Sequence, residues 1–330
     1  MRTGPLARTL IGTLACTHGL AAVADARQEG VDIAPSREAG AAWRYRLHVQ
    51  TTLEQEGETS AVEQEARIAL RMSDERRRDL TIADARVLEI TLRVTRAGET
   101  YEVTAERDET GVVLTDAGAP EEIGAIARAI VEAPIRLGLS AGGEVMGLQG
   151  LAGAAEAAEQ SGALGGVALS VFYPESLAAA LEPIFYADNA GDAPRRPGDT
   201  WTTTARRPLG EGRTIVETLD CAFDDPAAWT GDLAIAIELA DDLPATTSRV
   251  EVLDQSGAVT AEWNTEASAL ERRVRTLVTD LVWRLGDLEV QQRQLTTITL
   301  ERIDDDSALP DDLFNQPNQA PTRRTLQPEG

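Results

Sequence analysis

The fold class expected is α+β, mainly antiparallel β, with two β-lobes and a helical insert between them. Three observations carry it. Apolar and polar residues alternate through many segments that end at Gly or Asp, residues 151–187 are dominated instead by Ala, Leu and Gly, and a Pro-rich linker at Ala193–Pro197 precedes a second alternating block. With 330 residues and 42% hydrophobic composition, there is apolar material for one or two cores. The divisions expected are a leader at 1–26, a flexible segment at 27–39, a first lobe at 40–150, the insert and linker at 151–197, a second lobe at 198–303 and a disordered acidic tail at 304–330.

The leader is read from the order of its parts. Arg2 and Arg8 precede a mostly apolar run from Leu10 to Val23, and Ala24-Asp25-Ala26 supplies a small-residue cleavage site, with the cut expected after Ala26. Thr17, His18 and Gly19 interrupt the run, which is short for a membrane span. A lipid on Cys16 is the lesser alternative, because Thr13 stands where a lipobox has Leu. Removal of the leader leaves one Cys, Cys221, and one His, His48, so no intrachain disulfide forms in the exported chain.

From Trp43 to Leu53, the residues Trp43, Tyr45, Leu47 and Val49 alternate with Arg44, Arg46, His48 and Gln50. A period of two with one apolar face is a half-buried antiparallel strand. Ala66, Ile68, Leu70 and Met72 continue the pattern after Gly57 and close a long hairpin, Leu88–Val94 makes a third strand, and Tyr101–Ala105 follows the turn at Gly98. Pro120-Glu121-Glu122 opens a helix carrying Ile123, Ile126, Ala127 and Ile130, which Pro134 stops. Ile135–Leu139 and Val145–Leu148 are strands joined by a turn at Ser140–Gly143.

Leu151–Gln160 and Ser176–Tyr186 are expected as helices joined by a Gly-rich link at Gly162–Gly166. In the second block Thr214–Phe223, Leu233–Leu239 and Val250–Asp254 alternate, Gln255-Ser256-Gly257 is expected to turn, and Ala258–Thr265 to return. Residues 270–285 fit a helix or a strand. They are assigned to a strand because Leu288–Ile303 completes a hairpin with them.

Gly40-Ala41-Ala42-Trp43 and Gly198-Asp199-Thr200-Trp201 open the two halves in a similar way. The order of β-rich half, Ala/Leu helical insert, Pro194-Arg195-Arg196-Pro197-Gly198-Asp199-Thr200-Trp201 and second β-rich half resembles exported bacterial proteins of a β-rich family of unknown function, over about residues 40–303. The resemblance implies an envelope protein and transfers no catalytic residue. Locally, Gly198 and Asp199 are expected to turn the chain and Trp201 to bury its ring, so these three are a structural motif.

Composition excludes several chemistries. The sequence contains no Lys, so a Schiff base, a pyridoxal anchor and a phosphate-loop lysine are ruled out. A net charge of -24 with no basic stripe argues against a nucleic-acid partner. One His and one Cys do not build the usual zinc or copper sets, so no cofactor, metal site or catalytic residue is assigned. Gly138-Leu139-Ser140-Ala141-Gly142 matches a nucleophile-elbow pattern, but a strand follows it and no His lies beyond residue 48. Cys221 shares its parity with Leu219 and Phe223 and reads as a core residue, while His48 reads as a solvated strand residue. Asp304-Asp305-Asp306 lacks the spacing of a calcium loop. Arg76-Arg77-Arg78 and the cluster Arg272, Arg273, Arg275 read as turn or solvent-face charge, with partner docking the alternative. The expected function is that of an exported, periplasmic or extracellular, non-enzymatic envelope protein that binds an apolar ligand or a protein partner. The alternative is a carboxylate-dependent hydrolase of the envelope.

Overall fold

The computed structural model describes residues 31–314, apart from 32, 34, 56–57, 78, 97, 110, 188–193, 211–212, 226–227, 240–249, 286–287, 305–308 and 311–312. The expected leader with Ala24, Ala26 and Cys16 therefore lies outside the described residues, as do residues 188–193, which include Ala193 of the linker, and most of the tail. No helix among the described residues is long and apolar enough to cross a membrane.

Five strands open the chain: β1 (Ala42–Gln55), β2 (Glu58–Arg77), β3 (Leu80–Arg96), β4 (Glu99–Asp108) and β5 (Gly111–Ala117). Helix α1 (Glu121–Glu132), the hairpin β6 (Ile135–Leu139) and β7 (Val145–Gln149), and helices α2 (Ala152–Gln160), α3 (Gly162–Leu169) and α4 (Pro174–Leu181) follow. The chain ends in β8 (Thr200–Gly210), β9 (Arg213–Asp225), β10 (Ala228–Leu239), β11 (Val250–Asn264), β12 (Ala269–Leu285) and β13 (Leu288–Arg302). All pairings between these strands are antiparallel, in the order β5-β4-β3-β2-β1-β13-β12-β11-β10-β9-β8, with β6 and β7 branching from β3. Both strand-rich halves belong to this one sheet. They meet where β1 pairs β13 from Tyr45↔Arg302 to Gln55↔Gln292.

Direct cross-strand partners share a face, so the register shows what each face carries. Tyr45, Leu47 and Val49 sit beside Ile68, Ala66 and Gln64 on one side and Arg302, Leu300 and Ile298 on the other. The helices cover this face over the first half. In α1 the buried stripe Ile123, Ile126, Ala127, Ile130 and Val131 meets the sheet, each Ile contributing roughly 1.5–3 kcal/mol by leaving water. Gln64, 2% exposed, donates from Nε2 to the Ala168 carbonyl at 2.6 Å and ties α3 to β2. Tyr45 donates its hydroxyl to the Leu270 carbonyl at 2.9 Å, and burial raises its phenol well above the ordinary value, with Arg302 opposing and Glu271 adding. Toward the other end of the strands the same face turns polar, through Thr51, Thr296, Gln294, Thr279 and Gln255.

Four sequence expectations change here. Gly162–Gly166 is not a link but the start of helix α3, because glycine lets that helix approach α2: a Cβ on Gly165 would lie 2.1 Å from the Ala158 carbonyl oxygen. Gln255-Ser256-Gly257 is not a turn but the middle of β11. A Cβ on Gly257 would lie 2.2 Å from the Thr276 carbonyl oxygen, so this glycine serves close strand contact rather than a reversal. Strand β5 was not anticipated, since Gly111–Ala117 carries little alternation beyond Val112 and Leu114. In the stretch read as a disordered tail, Leu313 N donates to the Pro310 carbonyl at 3.0 Å, and the Phe314 ring lies 4.5 Å from the Arg71 guanidinium carbon. Residues 270–285 form a strand, paired to β13 from Arg272↔Glu301 onward.

Gly257→Ala is predicted to lower the unfolding free energy by about 1–3 kcal/mol, the usual cost of forcing an added methyl into packed structure. A urea melt of the purified chain reads this directly, and an unchanged midpoint would contradict the close approach of β11 to β12.

Candidate functional site

The Gly-Asp-x-Trp stretch is a structural corner. Gly198 has φ +90°, a conformation that favours glycine, and the Asp199 carboxylate accepts from Arg196 N at 2.8 Å. Gly198 N donates to the Phe223 carbonyl at 2.7 Å and Phe223 N to the Asp199 carbonyl at 2.9 Å, which locks the corner to β9. Trp201, part-buried rather than buried as expected, meets Trp229 edge to face with centroids 5.8 Å apart, and the Arg195 guanidinium lies over its ring at 4.5 Å.

The remaining residues singled out in the sequence do not converge. Cys221 is 3% exposed in the core. Ser140 accepts at its hydroxyl from Gly142 N at 3.2 Å and Glu144 N at 3.1 Å, which is a turn. His48 Nε2 lies 2.9 Å from Glu63 Oε1, so its charged neighbour across the strands is an acid. Asp304 pairs with Arg302 at 3.3 Å, while Asp305 and Asp306 lie outside the described residues. Arg275 pairs with Glu217 at 2.7 Å on the helix-covered face.

Carboxylates on the opposite face are matched to arginines on adjacent strands. Arg46 reaches Glu65 at 3.2 Å and Glu301 at 3.6 Å, Arg67 pairs with Glu89 and reaches Glu106 at 3.1 Å, and Arg93 holds Glu63 at 2.5 Å and Glu102 at 2.6 Å. Burial alone would raise the Glu63 carboxyl, but hydrogen bonds from His48 and Arg93 outweigh it and hold the group below its ordinary range. This is opposite to the raised carboxyl a general acid needs. Among the described residues, no group of three or more His, Cys, Asp or Glu side chains could hold a metal ion.

Two of the hollows among the described residues bear most on ligand binding. One, of about 530 Å³, opens at the strand ends and is lined by Glu54, Gln55, Glu58, Thr59, Leu253, Asp254, Asp280, Leu281, Gln291, Gln292 and Arg293. Its acids come from four different strands, and Arg293 lies 4.0 Å from Asp280. The other, of about 250 Å³, has a mostly apolar floor of Leu80, Ile82, Leu137, Gly138, Gly147 and Leu148, with Met146 62% exposed beside it.

This second trough follows from the register. Ile135, Leu137 and Leu139 are buried, so Arg136 and Gly138 face the other way. Ile82 pairs with Gly138 and Gly138 with Gly147, so two facing glycines remove the side chains that would stand beside Ile82. A Cβ on Gly147 would meet nothing within 4 Å. Arg77 and Arg136 stand at the rim with Gln149, and Glu75 accepts from both arginines, at 2.7 and 3.1 Å. Asp84, the partner of Arg136 across β3 and β6, takes Arg136 Nε at 3.1 Å.

One step further along the same face of β3 is Arg86, 6% exposed, at the fork where β3 exchanges β6 for β4. Burial is the largest influence lowering its pKa, Arg107 and Arg136 add to it, and Asp84 opposes them. Among the described residues, no carboxylate lies within ion-pair distance of the Arg86 guanidinium. Arg107 is engaged with the C-terminal end of α1, donating from Nη2 to the Val131 carbonyl at 2.7 Å. Sequence reading missed Ile82, Arg86, Arg136, Gly138 and Gly147. The available signals were glycines at strand positions that pair and arginines standing among Ala, Val and Ile in β3 and β6.

Glu63→Gln is predicted to cost about 0.5 kcal/mol at pH 7, the scale of a half-exposed ion pair. A carboxyl held low in the folded state contributes its full stability above its unfolded value and loses it as pH falls through the lower folded value. The difference between wild type and variant, followed in denaturant melts from pH 7 downward, should therefore close below about pH 4. A difference that stays constant into acid would show that the Glu63 charge has no such role.

No protein-family model matches the chain, and no curated protein matches it in sequence. Among solved structures it is similar to lipovitellin, a structure described in terms of lipid–protein interactions, at 9% identity over 83% of this chain with a TM-score of 0.40. The chain spans 27% of the lipovitellin chain. It is also similar to Pseudomonas aeruginosa OccK5, at 6% identity over 82% of this chain and 100% of that one with a TM-score of 0.23. A DUF1329 family protein from Desulfovibrio piger is similar at 8% identity over 83% and 90% of the two chains, with a TM-score of 0.16. At TM-scores this low none of these likenesses assigns a ligand or a location to the chain.

Proposed function

We propose that the chain is an exported, non-enzymatic envelope protein that binds the apolar part of a ligand in the trough between β3, β6 and β7. The observation that carries this is the facing pair Gly138 and Gly147 beside Ile82, which leaves a small trough with a mostly apolar floor in the sheet. An apolar floor with few polar groups around it is the usual character of a small-ligand site. Its volume, about 250 Å³, lies just under the range of small-molecule sites and suits a narrow chain rather than a bulky ring system. Export is supported by the order of charge, apolar run and small residues in 1–26. Kinship with exported β-rich proteins is supported by Gly198-Asp199-Thr200-Trp201 between the two halves. In this reading the two expected lobes act together as the sheet that holds the trough rigid.

The test fills the trough from within. Gly147→Leu adds a side chain where a Cβ has free space, so the fold should keep its melting temperature within about 2 °C, as expected of a change away from packed contacts. Binding of a narrow fluorescent polyene chain, cis-parinaric acid, followed by its emission, should weaken at least tenfold, a loss of about 1.4 kcal/mol. Equal probe affinity in wild type and Gly147→Leu would remove the trough as the binding site.

A further inference from the structure

We propose that the central strands present a self-association surface on the face opposite the helices, on which two copies of the chain pack face to face. The inference is separate from the trough, which lies at the β6–β7 branch. Strands β1, β13, β12 and β11 keep regular register from the row Arg46–Glu301–Arg272–Glu262 to the row Glu54–Arg293–Asp280–Asp254. Direct partners share a face and side chains alternate along a strand, so every second row between these two stands on the same side as they do. The three such rows, from Thr52, Leu295 and Val278 to His48, Thr299 and Val274, hold no Asp, Glu, Arg or Lys. Leu295 is 42% exposed among them. In a chain with 26% charged residues, a neutral band framed by two charged rows has the make-up of an interface centre with its polar rim.

The rim selects a second copy as the occupant. The middle row, Gln50–Thr297–Thr276–Ala258, is equally far from both charged rows, about 14 Å along the strands. A two-fold axis along that row keeps the strands of the two copies aligned and lays each charged row over the opposite one of the partner copy. Arg46 then lies over the partner copy's Glu54, Arg272 over its Asp280 and Glu301 over its Arg293, with Glu262 and Asp254 the one like-charged pair. The receiving end is the hollow of about 530 Å³, whose lining sets Glu54, Glu58, Asp254 and Asp280 against a single cation, Arg293. Arg272 is exposed between Glu262 and Glu301 and makes no ion pair among the described residues, so its charge is open to a partner. Five rows on four strands cover roughly 600 Å² a side, below the ~800 Å² of a standard interface, so a dimer dissociating in the micromolar range is expected.

Sedimentation velocity on the purified chain over roughly 1 to 500 µM tests this. Wild type should pass from monomer to dimer, and Thr297→Arg, which sets like charges against each other on the axis, should weaken the dimer at least tenfold. Two double variants read the rim, Arg46→Glu with Arg272→Glu and Glu54→Arg with Asp280→Arg. Each alone should weaken self-association at least tenfold, and an equimolar mixture should return to within about threefold of wild type, because each altered row then meets its complement. Recovery in the mixture also shows that both variants are folded. A wild type that stays monomeric to the highest concentration overturns the proposal. So does either double variant that associates as wild type does, or a mixture no tighter than its parts. Thr297→Arg decides the matter by itself if a double variant does not fold, and an unweakened dimer in that variant removes the surface.

Discussion

The pairing of β1 with β13 is the constraint on which the structure rests. It joins Tyr45–Gln55 to Gln292–Arg302 in unbroken antiparallel register and makes one sheet of two strand-rich halves. Closing so long an intervening chain costs entropy that grows only with the logarithm of its length, so the price is modest once the strands have somewhere to bury. That place is supplied by Tyr45, Leu47 and Val49, which face Arg302, Leu300 and Ile298 under the helices. The Tyr45 hydroxyl extends the junction to β12 through the Leu270 carbonyl.

The two faces of this sheet do different work. The helix-covered face is apolar over the first half, where Ile68, Leu70, Val87, Ile90 and Leu92 are at most 1% exposed. The opposite face carries cross-strand pairs of Arg and Glu, with Arg46, Arg67 and Arg93 each answered by carboxylates one or two strands away. The trough lies where those pairs give out. At Ile82, Gly138 and Gly147 the face loses its charged side chains. Departure from the paired charge of β1 to β4 is what distinguishes this corner from the surface beside it.

Much of the secondary structure was legible because the two-residue period survives in single segments. Residues 43–53, 66–72 and 135–139 read as strands from alternation alone, and Pro120, two acids and Pro134 bracket α1 within a residue. Glycine was the main source of error. In Gly257 and in Gly162–Gly166 it permits close backbone approach within an element, whereas the local sequence reads it as punctuation. The trough proposed as the site was not legible because its defining contacts depend on pairing. Gly138 and Gly147 form a gap only once β6 and β7 are opposite each other.

The junction of first and last strands also governs how the molecule is made. Synthesis proceeds from the N-terminus, so β1 emerges about 240 residues before the strand that will cover its second edge. Until then Tyr45, Leu47 and Val49 lie along an unpaired border, the kind of template on which other chains add strands. The alternating Arg44, Arg46 and His48 on that strand place charge along the same border. The centre of the finished sheet is thus its last part to be completed, and a chain cut short anywhere before β13 would leave β1 with one edge unpaired.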